Sequence, residues 1–235
     1  MSVKAVIFDI DGTLVDSELV HHKALLDALN IWRLSPPETL QLQLIGLSMR
    51  DTYTVLSKLF NNVPNYNEFV SAKLRCYISR SAEIKMREGA EAAYRMLQLR
   101  SVSRALVSNA DRIIVETNIR AAGLFEPGLV SVSRNDVRRG KPDPEPYLRA
   151  AHLLDVEPVE CLVIEDSPLG AQAGLAAGMM VAAWPEPERT NLMFPSGVFL
   201  LQPHELITQL AEILDVNRPR VQTPVGVAAA PSQVG

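Results

Sequence analysis

Ala5-Val6-Ile7-Phe8-Asp9-Ile10-Asp11-Gly12-Thr13-Leu14-Val15-Asp16 is the stretch from which the fold follows. Four apolar residues without polar alternation run straight into acids. That is the pattern of a strand buried on both faces of a parallel sheet, and Gly12 permits a sharp turn at its end. Side chains two apart leave a strand on the same side, so Asp9 and Asp11 can converge outside its carboxyl end, where open α/β folds bind ligands. Such a pair suits a hard cation and an electrophile. Alone, Asp-x-Asp-Gly-Thr can also be read as a strand followed by an acidic turn, and the rest of the chain must decide.

Beyond Asp16 the period becomes helical. Leu19, His22, Leu25, Leu26 and Leu29 recur at helix spacing behind Ser17, a candidate N-cap. Ser35-Pro36-Pro37-Glu38 reads as a capping box, and Ser48 to Asp51 repeats the serine-to-acid spacing ahead of Tyr53, Val55, Leu56, Leu59 and Phe60. A further helix is predicted from about Asn67 to Arg80. Residues 17–84 are therefore expected to be an all-helical cap, inserted where a lid over the two aspartates would exclude water.

From Gly89 helices and strands alternate as in parallel βαβ units. Strands are predicted at 104–109, 129–132, 161–164, 179–183 and 198–201, and helices at 90–99, 112–122, 146–154, 167–177 and 203–214. The fold class is α/β, with residues 1–16 and 85–217 as the core domain. Residues 218–235, rich in Pro, Val, Ala and Gln without periodicity, are expected to be a disordered tail.

With 235 residues and 47% apolar content the chain can bury a sizeable core. A net charge of −4 leaves no basic footprint, so neither nucleic acid nor an anionic membrane is the expected partner. Cys76 and Cys161 have no metal-type spacing and imply no disulfide framework. The first strand starts within a few residues of Met1, no apolar run reaches about 18 residues, and a cytoplasmic setting is expected. A monomer or small homo-oligomer fits this inventory.

Three more stretches carry chemistry. Ser108-Asn109 ends a predicted strand, and a hydroxyl and backbone N–H there could hold a phosphoryl oxygen, although a plain turn has the same sequence. In Gly140-Lys141-Pro142-Asp143-Pro144 the lysine is confined by a glycine and prolines, which suggests a fixed cation. Such a cation would keep a carboxylate ionised and neutralise a transferring phosphoryl group. Ile164-Glu165-Asp166-Ser167-Pro168 ends another buried strand in acids. Asp166 or Ser167 could simply cap the next helix; alternatively Asp166 joins Asp9 and the Asp11 carbonyl in an all-oxygen site for Mg²⁺.

All four stretches lie at strand carboxyl ends, in one order, with a helical insert after the first. Over residues 4 to 214 the set resembles the haloacid-dehalogenase-like hydrolase superfamily, in the helical-cap subclass of β-phosphoglucomutase and many small phosphatases. The resemblance implies a Rossmann-like parallel sheet with helices on both faces and the first strand at its centre. It implies Asp9 as a nucleophile that becomes an aspartyl phosphate and Asp11 as acid/base. Ser108, with Asn109, would hold the phosphoryl group, Lys141 would orient and neutralise it, and Asp166, with Glu165 close behind, would anchor Mg²⁺.

The expected activity is Mg²⁺-dependent hydrolysis of a small phosphorylated metabolite, a sugar phosphate. A β-phosphoglucomutase-type transfer is one alternative, and a non-catalytic interaction protein on the same fold is another. Dehalogenation itself would leave Asp11 without a task. The mutase cap supplies a His, an Arg after a segment like Gly46-Leu47-Ser48, and a Lys; His21, Arg50 and Lys73 are the candidates here. Met49 stands where the mutase has Arg, and the shift to Arg50 turns the side chain by about 100° on a helix. That shift, and the Thr13-Leu14 pair of the first motif, favour the phosphatase. His21 could equally be a surface residue; His152 and His204 are taken as structural.

Overall fold

The computed structural model describes residues 2–37, 39, 40, 44, 49–187, 189 and 191–216. In chain order the elements are β1 (Ala5–Asp9), β2 (Val15–Asp16), α1 (Glu18–Ile31), α2 (Met49–Leu59), α3 (Tyr66–Ser79), β3 (Lys85–Met86), α4 (Ala90–Leu99), β4 (Ser103–Val107), α5 (Arg112–Ala121), β5 (Val130–Val132), α6 (Glu145–Leu154), β6 (Cys161–Glu165), α7 (Pro168–Ala176), β7 (Met180–Ala183), β8 (Phe199–Leu200) and α8 (Leu206–Val216). Short 3₁₀ turns at Ser81–Glu83, Arg134–Asp136 and Pro158–Glu160 connect some of them.

The apolar run Ala5–Asp9 is buried at every residue, as a strand covered on both faces requires. Six strands form one parallel sheet in the order β5-β4-β1-β6-β7-β8. Phe8 pairs with Leu106 on one side and Ile164 on the other, so the carboxyl ends of β4, β1 and β6 finish level. The chain runs outward from β1 through β4 and β5, then returns to the other side of β1 at β6. That reversal makes the crevice beyond these three strand ends the topological switch point, where such sheets bind ligands.

Alternation along the strands divides the core into two layers. Val6, Phe8, Leu106, Leu162 and Ile164 face a cluster with Ala93 and Leu97 of α4, Ile114 and Val115 of α5, and Leu206, Leu210 and Leu214 of α8. Ala5, Ile7, Ala105, Val107 and Val163 face the opposite way, onto Tyr147 and Ala150 of α6 and Ala171 and Ala173 of α7. Helices therefore cover both faces, as expected for the fold class. A third cluster of Leu25, Leu29, Leu34, Leu40, Leu56 and Phe69 lies within the 17–84 stretch.

Several sequence expectations shift. The strand expected over 104–109 stops at Val107, leaving Ser108 and Asn109 in the loop. The one expected over 198–201 shrinks to Phe199–Leu200, and the last helix starts at Leu206 rather than at 203. On α1 the apolar face is Val20, Ala24, Leu25, Ala28 and Leu29, while Leu19 is 52% and Leu26 38% exposed. Small alanines, overlooked beside the leucines, form that face. Ser17 precedes α1 without capping it, because its hydroxyl is used elsewhere. Ser167 does cap α7, accepting from the Gly170 N–H at 3.1 Å.

The antiparallel pair β2–β3 was not anticipated: Val15 faces Met86 and Asp16 faces Lys85. The capping residues Glu38 and Ser48, the segment Gly46-Leu47-Ser48 and the 218–235 tail lie outside the described residues. Among the described residues no helix is long and apolar enough to cross a membrane.

Candidate active site

Three adjacent strand ends and the loop before α6 deliver the acids and the cation to one point. Lys141 Nζ lies 2.6 Å from Asp9 Oδ1, 2.6 Å from Glu165 Oε1 and 3.1 Å from the Val107 carbonyl. Its side chain is 5% exposed, so this is a fixed cation rather than a surface ammonium. The loop is held by Asn109, whose Oδ1 accepts from the Lys141 N–H at 2.8 Å and whose Nδ2 donates to the Lys141 carbonyl at 3.1 Å. Gly140 makes room for that clasp, since a Cβ there would stand 2.5 Å from Asn109 Oδ1. Asn109 itself thus engages the lysine loop.

Asp9, Glu165 and Asp166 each bring a carboxylate oxygen within 4.8 Å of the others, and all three residues are buried. Their surroundings divide the labour. Glu165 Oε1 accepts from Lys141 and, at 2.6 Å, from the Tyr147 hydroxyl, and Oε2 accepts from the Ser167 hydroxyl at 2.9 Å. Gly170 packs against the same carboxyl, where any side chain would overlap it. Asp166 accepts from Thr13 Oγ1 at 3.3 Å and from Arg189 at 3.0 Å. Gly12, at φ +81°, turns the chain under Asp166, and a Cβ there would lie 2.7 Å from Oδ2. By contrast, Asp9 Oδ2 is buried with no hydrogen-bond partner among the described residues.

The electrostatics are short of positive charge. Burial pushes the Asp9 carboxyl well above the usual carboxylate range; Lys141 pulls it back, while Glu165, Asp166 and Asp11 push it up. Burial, followed by Glu165, likewise raises Asp166, to about 7. Burial opposes the Lys141 ammonium too, yet Asp9 and Glu165 outweigh it and hold the proton more tightly than usual. A raised acid and a raised base together mean that the carboxylates exceed what Lys141 neutralises. An added cation would relieve all of them, and an oxygen-only donor set with one buried, unpaired carboxylate oxygen fits a hard divalent ion.

Asp11 stands outside this carboxylate group. Its Oδ1 accepts from Ser17 Oγ at 2.8 Å and Asn118 Nδ2 at 2.8 Å, its Oδ2 from Ser108 Oγ at 2.9 Å, and His21 Nε2 lies 3.8 Å from Oδ1. Burial opposes its charge, but His21, Ser17 and Ser108 prevail and hold the carboxyl below its ordinary range. Ser108 also accepts from the Ala110 N–H, so its hydroxyl currently serves the loop and Asp11.

The helices of the insert contribute unequally. His21 reaches the site, stacked 4.2 Å from the Tyr77 ring. Lys73 lies one turn before Tyr77 on α3, half-buried, and burial lowers its ammonium to about 8. Arg50 is exposed, its guanidinium 4.8 Å over the Tyr66 ring. Sequence reasoning missed Tyr147, Ser17, Asn118, Tyr77 and Arg189, which sit in helices or loops without motif character. Arg87, just after β3, was missed as well; it donates to the Gly12 and Trp184 carbonyls and stacks 3.7 Å over the Trp184 ring.

Known proteins resemble both the sequence and the shape. The bifunctional riboflavin kinase/FMN phosphatase of Arabidopsis thaliana is 33% identical over 80% of this chain, which spans half of that longer protein. Hexitol phosphatase A of Escherichia coli K12 is 31% identical over 81% of this chain and 87% of its own. A HAD family hydrolase from Deinococcus radiodurans R1, solved with bound phosphate and sodium, superposes with a TM-score of 0.68 at 29% identity, covering 90% of this chain and 96% of the other. The description of the haloacid dehalogenase-like hydrolases matches residues 3–178, which span the strand ends, the lysine loop and the acidic pair, and the chain belongs to that family.

Proposed function

We propose that the chain is a Mg²⁺-dependent phosphatase that hydrolyses a small phosphorylated metabolite, a sugar phosphate, through an aspartyl phosphate on Asp9. The observation that carries this reading is the split environment of Asp9: one oxygen anchored by Lys141, the other buried and unpaired. An anchored carboxylate with a free, desolvated oxygen is prepared to attack phosphorus. Relatives named for hexitol phosphates and FMN support a phosphate monoester as substrate.

Asp9, Asp166 and the Asp11 backbone carbonyl would hold Mg²⁺. When bound, it neutralises negative charge on the transferring phosphoryl group. Glu165, its oxygens taken by Lys141, Tyr147 and Ser167, serves this chemistry by fixing the lysine. Lys141 anchors Oδ1 of Asp9, leaving Oδ2 to attack, and neutralises one phosphoryl oxygen, while Ser108 and the loop N–H groups receive the others. Asp11, held ionised by its donors in the free site, takes up the proton that a phosphate monoanion carries in, gives it to the leaving oxygen, and later takes one from the attacking water. Residues 17–84 act as a cap over the crevice, moving on the β2–β3 pair, with Lys73 and His21 toward the substrate.

A mutase would need a cap guanidinium for the second phosphate, and Arg50 is instead committed to Tyr66. A non-catalytic reading leaves the buried, charge-deficient cluster without a purpose. The test is Asp9→Asn with the metal present. Phosphate release should fall by about 10⁴-fold or more while thermal unfolding is unchanged. Asp166→Ala, in parallel, should raise the Mg²⁺ concentration needed for half-maximal activity. Ample turnover by Asp9→Asn would overturn the nucleophile assignment.

A further inference from the structure

Asn118 is fully buried on α5, amid Ile114, Val115 and Ile119. Packing alone would be served by an aliphatic residue there, and a buried amide is costly unless both ends are bonded. Both ends are: Nδ2 donates to Asp11 Oδ1 at 2.8 Å, and Oδ1 accepts from the Tyr77 hydroxyl at 2.7 Å. The orientation is forced. A carboxylate only accepts, so the amino end must face Asp11, which leaves the carbonyl end to a donor. Tyr77 is that donor, and burial, reinforced by the Asp11 charge, pushes its phenol well above the ordinary range and keeps its proton in place.

The partners come from different parts of the chain. Tyr77 belongs to α3 of the helical insert and is 1% exposed, with His21 stacked upon it. Asn118 belongs to the sheet domain, and Asp11 to the turn after β1. One amide therefore joins α3 of the insert to the carboxylate, beside the direct contacts of Ser17 and His21.

We propose that Asn118 and Tyr77 are positioning residues for Asp11: the amide sets the direction of the carboxylate, and the phenol, arriving with α3, sets the amide. The inference rests on the phosphatase reading, in which Asp11 moves the proton. It ties proton transfer to contact between α3 and α5, so a displaced insert leaves Asp11 misdirected. The bland alternative is that Tyr77 and Asn118 merely fasten the insert to the sheet.

Leaving groups separate the two. An alkyl phosphate needs a proton on its departing oxygen, whereas p-nitrophenolate departs without one. The experiment measures first-turnover release from both substrates with the full chain and Mg²⁺, the alkyl ester being a hexose or hexitol phosphate that the unmodified enzyme hydrolyses. Asn118→Leu should slow the alkyl ester about 100-fold and p-nitrophenyl phosphate less than about threefold, with KM values nearly unchanged. Tyr77→Phe should act in the same direction by about tenfold, and the double variant should be no worse than Asn118→Leu, because both act through one amide.

Equal losses on both substrates, or losses that multiply in the double variant, would overturn the proposal in favour of fastening. Should Asn118→Leu fail to fold, Tyr77→Phe removes a single hydroxyl and carries the test; wild-type behaviour there also overturns it. Asp9→Asn keeps the two readings apart. If that variant is inactive while Asn118→Leu is normal, only the positioning role fails.

Discussion

Burial governs the Lys73 ammonium and lowers it to about 8. The direction of its shift gives a pH signature. Below about 8 the ammonium is charged, and in the phosphatase reading it would attract an anionic substrate; as pH rises through that value the charge is lost. KM should therefore be flat on the acid side and rise above it, while kcat at saturation changes less. Lys73→Arg keeps its charge throughout and should abolish the rise. Superimposable pH–KM curves for the two proteins would remove Lys73 from the binding site.

At this same scale the sequence was legible where chemistry and backbone coincide. Asp9, Lys141 and Asp166 stand at strand ends or in proline-stiffened loops, and those contexts are written in neighbouring residues. Asn118 and Tyr77 were not legible: each sits on an amphipathic helix, where a polar or aromatic residue has many ordinary uses. Glu165 was read as a metal neighbour, yet its hydrogen bonds commit it to Lys141, Tyr147 and Ser167. Nothing in a strand-terminal acid tells which partners will fold against it.

Among the elements, α7 shows how tightly a helix can be bound to the site. Its third residue, Gly170, lies against the Glu165 carboxyl with no space for a methyl group. Gly170→Ala must push Glu165 from its hydrogen bonds or α7 from β6, and should destabilise the fold by about 3 kcal/mol. Because Glu165 anchors Lys141, activity should fall further than the unfolded fraction explains. A variant with unchanged melting temperature and activity would mean that α7 shifts freely. Most element boundaries were legible to within a few residues, since buried apolar runs, prolines and glycines punctuate clearly. The face of α1 was not, because Ala24 and Ala28 carry the contact and hydrophobicity alone points to Leu19 and Leu26.

For the whole molecule the open choice is the fate of the phosphoryl group. A mutase must hold a bisphosphate while the sugar reorients, and the one cap arginine considered for this is stacked on Tyr66 instead. Water should therefore win. With hexose 1-phosphate, Mg²⁺ and a bisphosphate primer, ³¹P NMR should show inorganic phosphate accumulating and little hexose 6-phosphate. Isomerisation outpacing phosphate release would reverse the assignment and send attention back to Arg50.

The small β2–β3 pair has a consequence of another kind. Asp16 and Lys85 sit side by side, so the sixty-odd residues between them begin and end at almost one point. Lengthening a segment whose ends are already joined costs little closure entropy, since each doubling adds only about 0.6 kcal/mol. Away from the residues that pack on the sheet, Val20, Ala24, Tyr77 and Ile84, what lies between the two strands can be enlarged, trimmed or exchanged at little cost in closure entropy. A lineage built on this plan can change what it recognises without disturbing how it reacts, so long as Ser17, His21 and Tyr77 keep their places around Asp11 and Asn118.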